Sequence, residues 1–251
     1  MLEARDVVNY LDQYLRIREI PDKSLNGLQV QGKKEVRKIG LAVDACMQVF
    51  KQAREAGVDM LIVHHGLFWG ALQPLVRSLY DRVRFLIEND INLYCAHIPL
   101  DVHPEVGNNA QLAQKLDLEV EYYFGNYKGT PVAVYARAPK KMAPEELHTR
   151  LKGVLGEHVR MDAFGPATFR NIGICSGAGA DFIPEARSLG IEAFITGEPR
   201  HGIYYYAQEE KMHVYYGRHY ETEVLGVKAL GQHLEETLKL STQFFDAPSH
   251  I

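Results

Sequence analysis

Two distant stretches of this chain match each other without a gap. Ile39-Gly40-Leu41 falls on Ile172-Gly173-Ile174, and at the same offset Ala53-Arg54 falls on Ala186-Arg187. Gly57-Val58-Asp59 then falls on Gly190-Ile191-Glu192, and Met60-Leu61-Ile62 on Ala193-Phe194-Ile195. Each copy reads as an apolar strand, a helix closed by glycine, and a second apolar strand. Self-similarity over such a unit points to two related lobes rather than one large sheet. The flanking pattern agrees. Val7, Val8, Leu11, Tyr14 and Leu15 recur at helical spacing, and Asn92 to Ala96 reads as a third strand. Ser78 to Asn89, Gly107 to Leu116 and Pro144 to Leu155 read as helices, and Val132 to Ala136 as a strand. Continuous apolar strands alternating with helices predict an α/β fold: two related α/β lobes, layered sandwiches with mostly parallel sheets covered on both faces. The turn cluster from Phe124 to Pro131 sets the expected boundary. The first lobe is then 1–124 and the second 125–251, with the last helix free to pack back on the first lobe.

Composition narrows the classes. A chain of 251 residues with 46% apolar and 24% charged residues can bury a core without staples. Its three cysteines, Cys46, Cys95 and Cys175, form no C-x-x-C pair. That argues against a disulfide scaffold, a zinc ribbon or an iron–sulfur site, and fits a reducing, cytoplasmic setting. The opening residues carry no secretory apolar segment, and no apolar run approaches the roughly 18 residues that span a bilayer. A net charge of −4 gives no electrostatic reason to expect nucleic acid. The unusual count is eleven histidines.

Four of those histidines fall where ligand sites gather in parallel sheets, at the carboxyl ends of strands. The second strand ends in His64-His65, the third in His97-Ile98-Pro99-Leu100-Asp101, and a strand of the second lobe in Gly217-Arg218-His219-Tyr220-Glu221-Thr222-Glu223. The pattern of a histidine followed four residues later by a carboxylate therefore occurs twice. An imidazole nitrogen binds one metal, and a carboxylate binds one or bridges two. Neighbouring side chains of an extended segment point to opposite faces, so His64 and His65 suit two ions better than one. His219 and Glu223 share a face if the chain turns helical there.

Other segments carry less. Gly177-Ala178-Gly179-Ala180 can cradle a phosphate, but Phe182 stands where a dinucleotide fingerprint wants its third glycine, and a tight strand-to-helix turn is the plainer reading. Gly197-Glu198-Pro199-Arg200-His201 occupies the repeat position of the His64-His65 loop, and Arg200 can hold an anion. Tyr204-Tyr205-Tyr206 cannot all face one way on a helix.

Taken together, several segments resemble the NIF-three-like family, whose members are often labelled GTP cyclohydrolase I type 2 homologues. They are Ser24-Leu25-Asn26-Gly27-Leu28-Gln29-Val30, Ile39 to Asp44, His64-His65, Ala96 to Asp101, Ser176 to Gly179 and Gly217 to Glu223. The likeness spans nearly the whole chain in the same order, in the short form without a central insertion. The resemblance implies a dinuclear metal site in the cleft between the two lobes and assembly into a homo-hexameric ring. It implies that His64 and Asp101 hold one metal, that His65 and His219 hold the other, and that Glu223 bridges them. His97 matches a family histidine beside the metals, which implies either support of the ligands from behind or a catalytic role in proton transfer. Asp22-Lys23-Ser24-Leu25 departs from the family's usual lead into the Asn-Gly-Leu segment. Donors without thiolate suit two divalent ions, whether zinc, manganese, iron or nickel. The expected activity is metal-dependent hydrolysis of a small-molecule substrate, either of the imidazole ring of GTP or of a phosphoester. The competing expectation is a non-enzymatic metal-binding ring that acts through protein or nucleic-acid partners.

Overall fold

The computed structural model describes residues 1–250. The chain forms two compact units. The first comprises Met1–Val106 and Gly226–Ala247, and the second Gly107–Leu225 and Pro248–Ile251. The turn cluster expected as a boundary instead closes a hairpin between strands Glu119–Tyr127 and Thr130–Met142, inside the second unit. The segment Gly226–Ala247, which includes most of the last helix, is counted with the first unit.

In the first unit a five-stranded sheet runs in the order Ser241–Phe244, Lys38–Asp44, Met60–His65, Asn92–Cys95, Gly27–Val30. The first four strands are parallel, and Gly27–Val30 pairs antiparallel at the edge. Side chains alternate between two cores. Ile39, Leu41, Met60, Ile62 and Tyr94 pack with Val7, Leu11 and Leu15 of helix Ala4–Tyr14 and its end, and with Val227, Leu230 and Leu234 of helix His219–Leu238. Ala42, Leu61, Val63 and Leu93 face the other way, onto Val49, Phe50 and Ala53 and onto Leu79, Val83 and Leu86. Burial on both faces explains why these strands lack polar alternation.

The second unit carries a six-stranded sheet ordered Glu119–Tyr127, Thr130–Met142, Phe169–Cys175, Ala193–Thr196, His213–Tyr216, Arg160–Ala163. Only the stretch from Phe169–Cys175 to His213–Tyr216 is parallel. The flanking pairings are antiparallel, so the expectation of a mostly parallel sheet holds for the first unit and not for the second. Ile172, Ile174, Ala193, Ile195 and Tyr215 share a core with Leu147, Leu151 and Leu155 of helix Pro144–Leu155. Among the described residues no helix is long and apolar enough to cross a membrane.

The matched stretches make matched contacts. Gly40 pairs with Leu61 in one sheet, and Gly173 with Phe194 in the other. A Cβ on Gly40 would lie 3.0 Å from Leu61 and 3.2 Å from Val58; on Gly173 it would lie 2.6 Å from Phe194 and 3.4 Å from Ile191. These partners are themselves a matched pair, so each glycine leaves room for the same two neighbours. Acidic residues repeat too. Asp59 Oδ2 accepts the N–H groups of Arg37 and Lys38 at 3.0 and 3.2 Å. Glu192 Oε2 accepts those of Arg170 and Asn171 at 3.2 and 3.4 Å.

Asp59 also receives Lys33 Nζ at 2.7 Å. Burial opposes its ionisation, but the Lys33 hydrogen bond and the N–H groups of Arg37 and Lys38 outweigh that and hold its carboxyl below the usual range. A depressed carboxyl pKa stabilises the fold above the unfolded-state value, near 3.9, and that contribution disappears as pH falls through the folded-state value. Asp59→Asn is therefore expected to lower the urea midpoint at pH 7, with the gap to wild type narrowing below about pH 4. A gap that stays constant with pH would remove the ionic role.

Candidate metal centre

In the first unit the apolar run Met60-Leu61-Ile62-Val63 delivers His64 and His65 to the end of its strand. His64 is fully buried, and its Nδ1 lies 2.9 Å from the carbonyl oxygen of Ala96. A carbonyl only accepts, so Nδ1 carries the hydrogen and Nε2 presents its lone pair. That Nε2 lies 3.6 Å from Oδ2 of Asp101, which closes the four-residue helix Ile98–Asp101. His65 Nδ1 meets Asp44 Oδ1 at 2.9 Å, and Asp44 is its register partner on the adjacent strand. The strand alternation expected to separate the two histidines does not do so. Their ring centroids are 4.7 Å apart, and one nitrogen each from His64, His65 and His97 lie within 4.8 Å of one another. His65 is the last residue of its strand, and its ring is not held to the far face by a further pleat.

His97 Nδ1 donates to Asp22 Oδ2 at 3.0 Å. The Asp22 side chain is only 2% exposed and also accepts the Ile98 N–H and the Asn26 amide. Burial would raise its pKa. The hydrogen bond and charge of His97, then Asn26 and Ile98, reverse this and hold the carboxyl well below the usual carboxylate range. The Trp69 ring stands edge-on to His97 at 4.9 Å. The same segment grips the loop after His65, because Gln29 accepts the Leu67 N–H and donates to the Leu25 carbonyl. The residues that depart from the family's usual lead thus hold Asp22, a partner that sequence reasoning missed.

In the second unit the strand His213–Tyr216 leads through Gly217 and Arg218, the latter at φ +66°, into helix His219–Leu238. His219 Nε2 lies 3.1 Å from Glu223 Oε1, one turn on, and Nδ1 lies 2.5 Å from Glu198 Oε1. Burial works against protonating His219. The hydrogen bonds and charges of Glu223 and then Glu198 outweigh it and raise the pKa to about 9. A divalent ion taking Nε2 would displace that proton.

The Ser176–Gly179 turn lies beneath this pair. Gly177 sits at φ +61°, and a Cβ there would collide with Glu223 Oε1. Three N–H groups of the turn are committed within the protein: Ser176 to Asn109, Gly177 to Thr222 and Gly179 to Thr196. The segment leads from strand Phe169–Cys175 into a short helical turn at Gly179–Phe182, as the plainer strand-to-helix reading expects. Gly197 is boxed in by backbone, since its Cβ would lie 2.7 Å from Gly177 O, 2.8 Å from His219 Cα and 2.9 Å from Arg218 O. Gly197→Ala is therefore expected to displace the His219 turn, lowering both metal content and stability, the latter by about 1–3 kcal/mol. Unchanged thermal midpoint and metal content would contradict this. Arg200 forms an ion pair with Asp181 and lines a small open cavity with Glu198. Tyr204 and Tyr205 are exposed and Tyr206 half-buried, so the tyrosine run builds no single face.

Asp44 and Asp22 receive no role at the site from a reading of the sequence. Glu198 lies in the Gly197–His201 segment, at the repeat position of the His64-His65 loop, but nothing local pairs it with His219.

The strand ends of this α/β protein present imidazole and carboxylate groups of a kind that could hold a metal ion. No thiolate joins either donor set, and the histidine–carboxylate chemistry fits a divalent ion. The sequence matches the Duf34/NIF3 (NGG1p interacting factor 3) family over residues 2–249, and the chain belongs to that family. It is 41% identical over 246 residues to a Deinococcus radiodurans protein named GTP cyclohydrolase 1 type 2 homolog, covering 98% of this chain and 94% of that one. A Pyrococcus abyssi protein of the same name is 42% identical, with full coverage of both. The solved structure of TTHA1606 from Thermus thermophilus superposes with a TM-score of 0.90 at 40% identity, over 100% of each chain.

Proposed function

We propose that the donors of the two units together hold a pair of divalent ions and that the centre catalyses hydrolysis of a small-molecule substrate. In this reading His64 and Asp101 would hold one ion and His65 and His219 the other, with Glu223 available to both. The observation that carries it is the orientation of the imidazoles. His64, His65 and His219 each engage an acceptor through Nδ1, which fixes Nε2 as the metal-facing atom. Zinc, manganese, iron and nickel all suit these ligands. When bound, such a pair supplies a water nucleophile at neutral pH and an electrophile for the scissile bond. Asp22 holds His97 through Nδ1, so that Nε2 can take or give a proton at the reacting group. The names of the relatives support a purine-nucleotide substrate. The same reading includes two lobes related by duplication, a homo-hexameric ring and a cytoplasmic setting.

The test is elemental analysis of metal-replete protein beside a substrate panel of GTP, phosphoesters and amides, with each of the four metals. Two ions per chain and turnover that disappears in EDTA are expected. One ion or fewer would reject the dinuclear centre. Two ions without turnover of any substrate would reject the hydrolase.

A further inference from the structure

The imidazoles of the proposed centre are not backed alike. His64 donates from Nδ1 to a neutral carbonyl, that of Ala96. His65 and His219 donate instead to carboxylates, Asp44 at 2.9 Å and Glu198 at 2.5 Å. These contacts arise separately, one inside each unit. The two ions of the dinuclear reading also differ in their own ligands. Asp101 gives its ion a private negative charge, whereas the ion between His65 and His219 has only neutral imidazoles beside the shared Glu223. A carboxylate behind an imidazole draws the Nδ1 hydrogen toward itself and raises the electron density at Nε2. We propose that Asp44 and Glu198 are positioning residues that supply, through the two imidazoles, the negative charge this second ion lacks among its direct ligands. The inference rests on the dinuclear reading and adds to it: the two ions draw on different charge sources and can be weakened one at a time.

Glu198→Gln keeps an oxygen that accepts the Nδ1 hydrogen and removes only the charge; Asp44→Asn does the same for His65. Full-length metal-free protein is titrated with zinc in a calorimeter. Wild type is expected to take up two ions. In either variant one ion should bind about 10–100-fold more weakly, while the other keeps its affinity within about 3-fold. The double variant should lose the same ion further. Glu198→Ala, which also releases the ring, should exceed Glu198→Gln only modestly if charge is the main contribution. Equal weakening of both ions, or wild-type affinity in both charge-removing variants, overturns the inference and leaves the dinuclear reading standing. A single ion in wild type overturns both.

Discussion

Glu223→Ala, purified with excess manganese, is expected to hold at most one ion per chain, and that one weakly. Glu223 is buried, lies 3.1 Å from His219 Nε2 and packs against Gly177, so its carboxylate has little freedom to be replaced by a neighbour. As the bridging group it would serve both ions, and its loss should exceed the roughly 10–100-fold weakening that follows removal of an outer hydrogen-bond partner. Turnover, where present, should fall with it. Glu223→Gln separates ligand from shape, because the amide fills the same space. Both variants should retain the wild-type circular dichroism spectrum. Two tightly bound ions in either variant would remove Glu223 from the ligand set.

Phe194→Ala should cost about 3–5 kcal/mol, the range for truncating a fully buried phenylalanine. Its ring lies in the central parallel strand of the second sheet, over Gly173, and meets Phe124 edge-on at 6.5 Å. The space left by Gly173 is there for this ring, and backbone on both sides limits collapse into the cavity. Against a total stability of about 5–15 kcal/mol, such a loss removes a large share of what holds the fold together. The matched change in the first unit, Leu61→Ala, should cost less, because a smaller side chain is removed. Urea titrations followed by tryptophan and tyrosine fluorescence would measure both. A loss under about 1 kcal/mol for Phe194→Ala would mean that the strand repacks around the gap.

The parallel strands are legible in the sequence because their side chains obey one rule, burial on both faces. The gapless match between Ile39-Gly40-Leu41 and Ile172-Gly173-Ile174 shows where equivalent strands lie, and the shared glycine contacts give its physical basis. The short outer strands are harder. Ser241–Phe244 and Arg160–Ala163 alternate or sit half-exposed, and each is only a short run. Thr130–Met142 extends well beyond the apolar Val132 to Ala136, because exposed Arg137, Pro139, Lys140 and Lys141 interrupt the apolar pattern of its second half. Among the candidate donors, His64, His65, His97, Asp101, His219 and Glu223 stand out because strand ends and helical spacing are local signals. The hydrogen bonds that tie Asp22, Asp44 and Glu198 to histidines span 75, 21 and 21 positions and leave no periodic trace, although the repeat does bring the Glu198 segment into register with the His64-His65 loop.

The segment from Asp22 to Gln29 has a consequence for how this chain can vary. Asp22 reaches His97, Asn26 reaches the His97 backbone N–H, and Gln29 reaches Leu67. The anchors are fixed by the sheet, so the spacing between these side chains is set from outside the segment. Exchanging one residue for another alters a single anchor. Inserting or deleting one shifts every anchor beyond it, so this turn should tolerate changes of residue far better than changes of length.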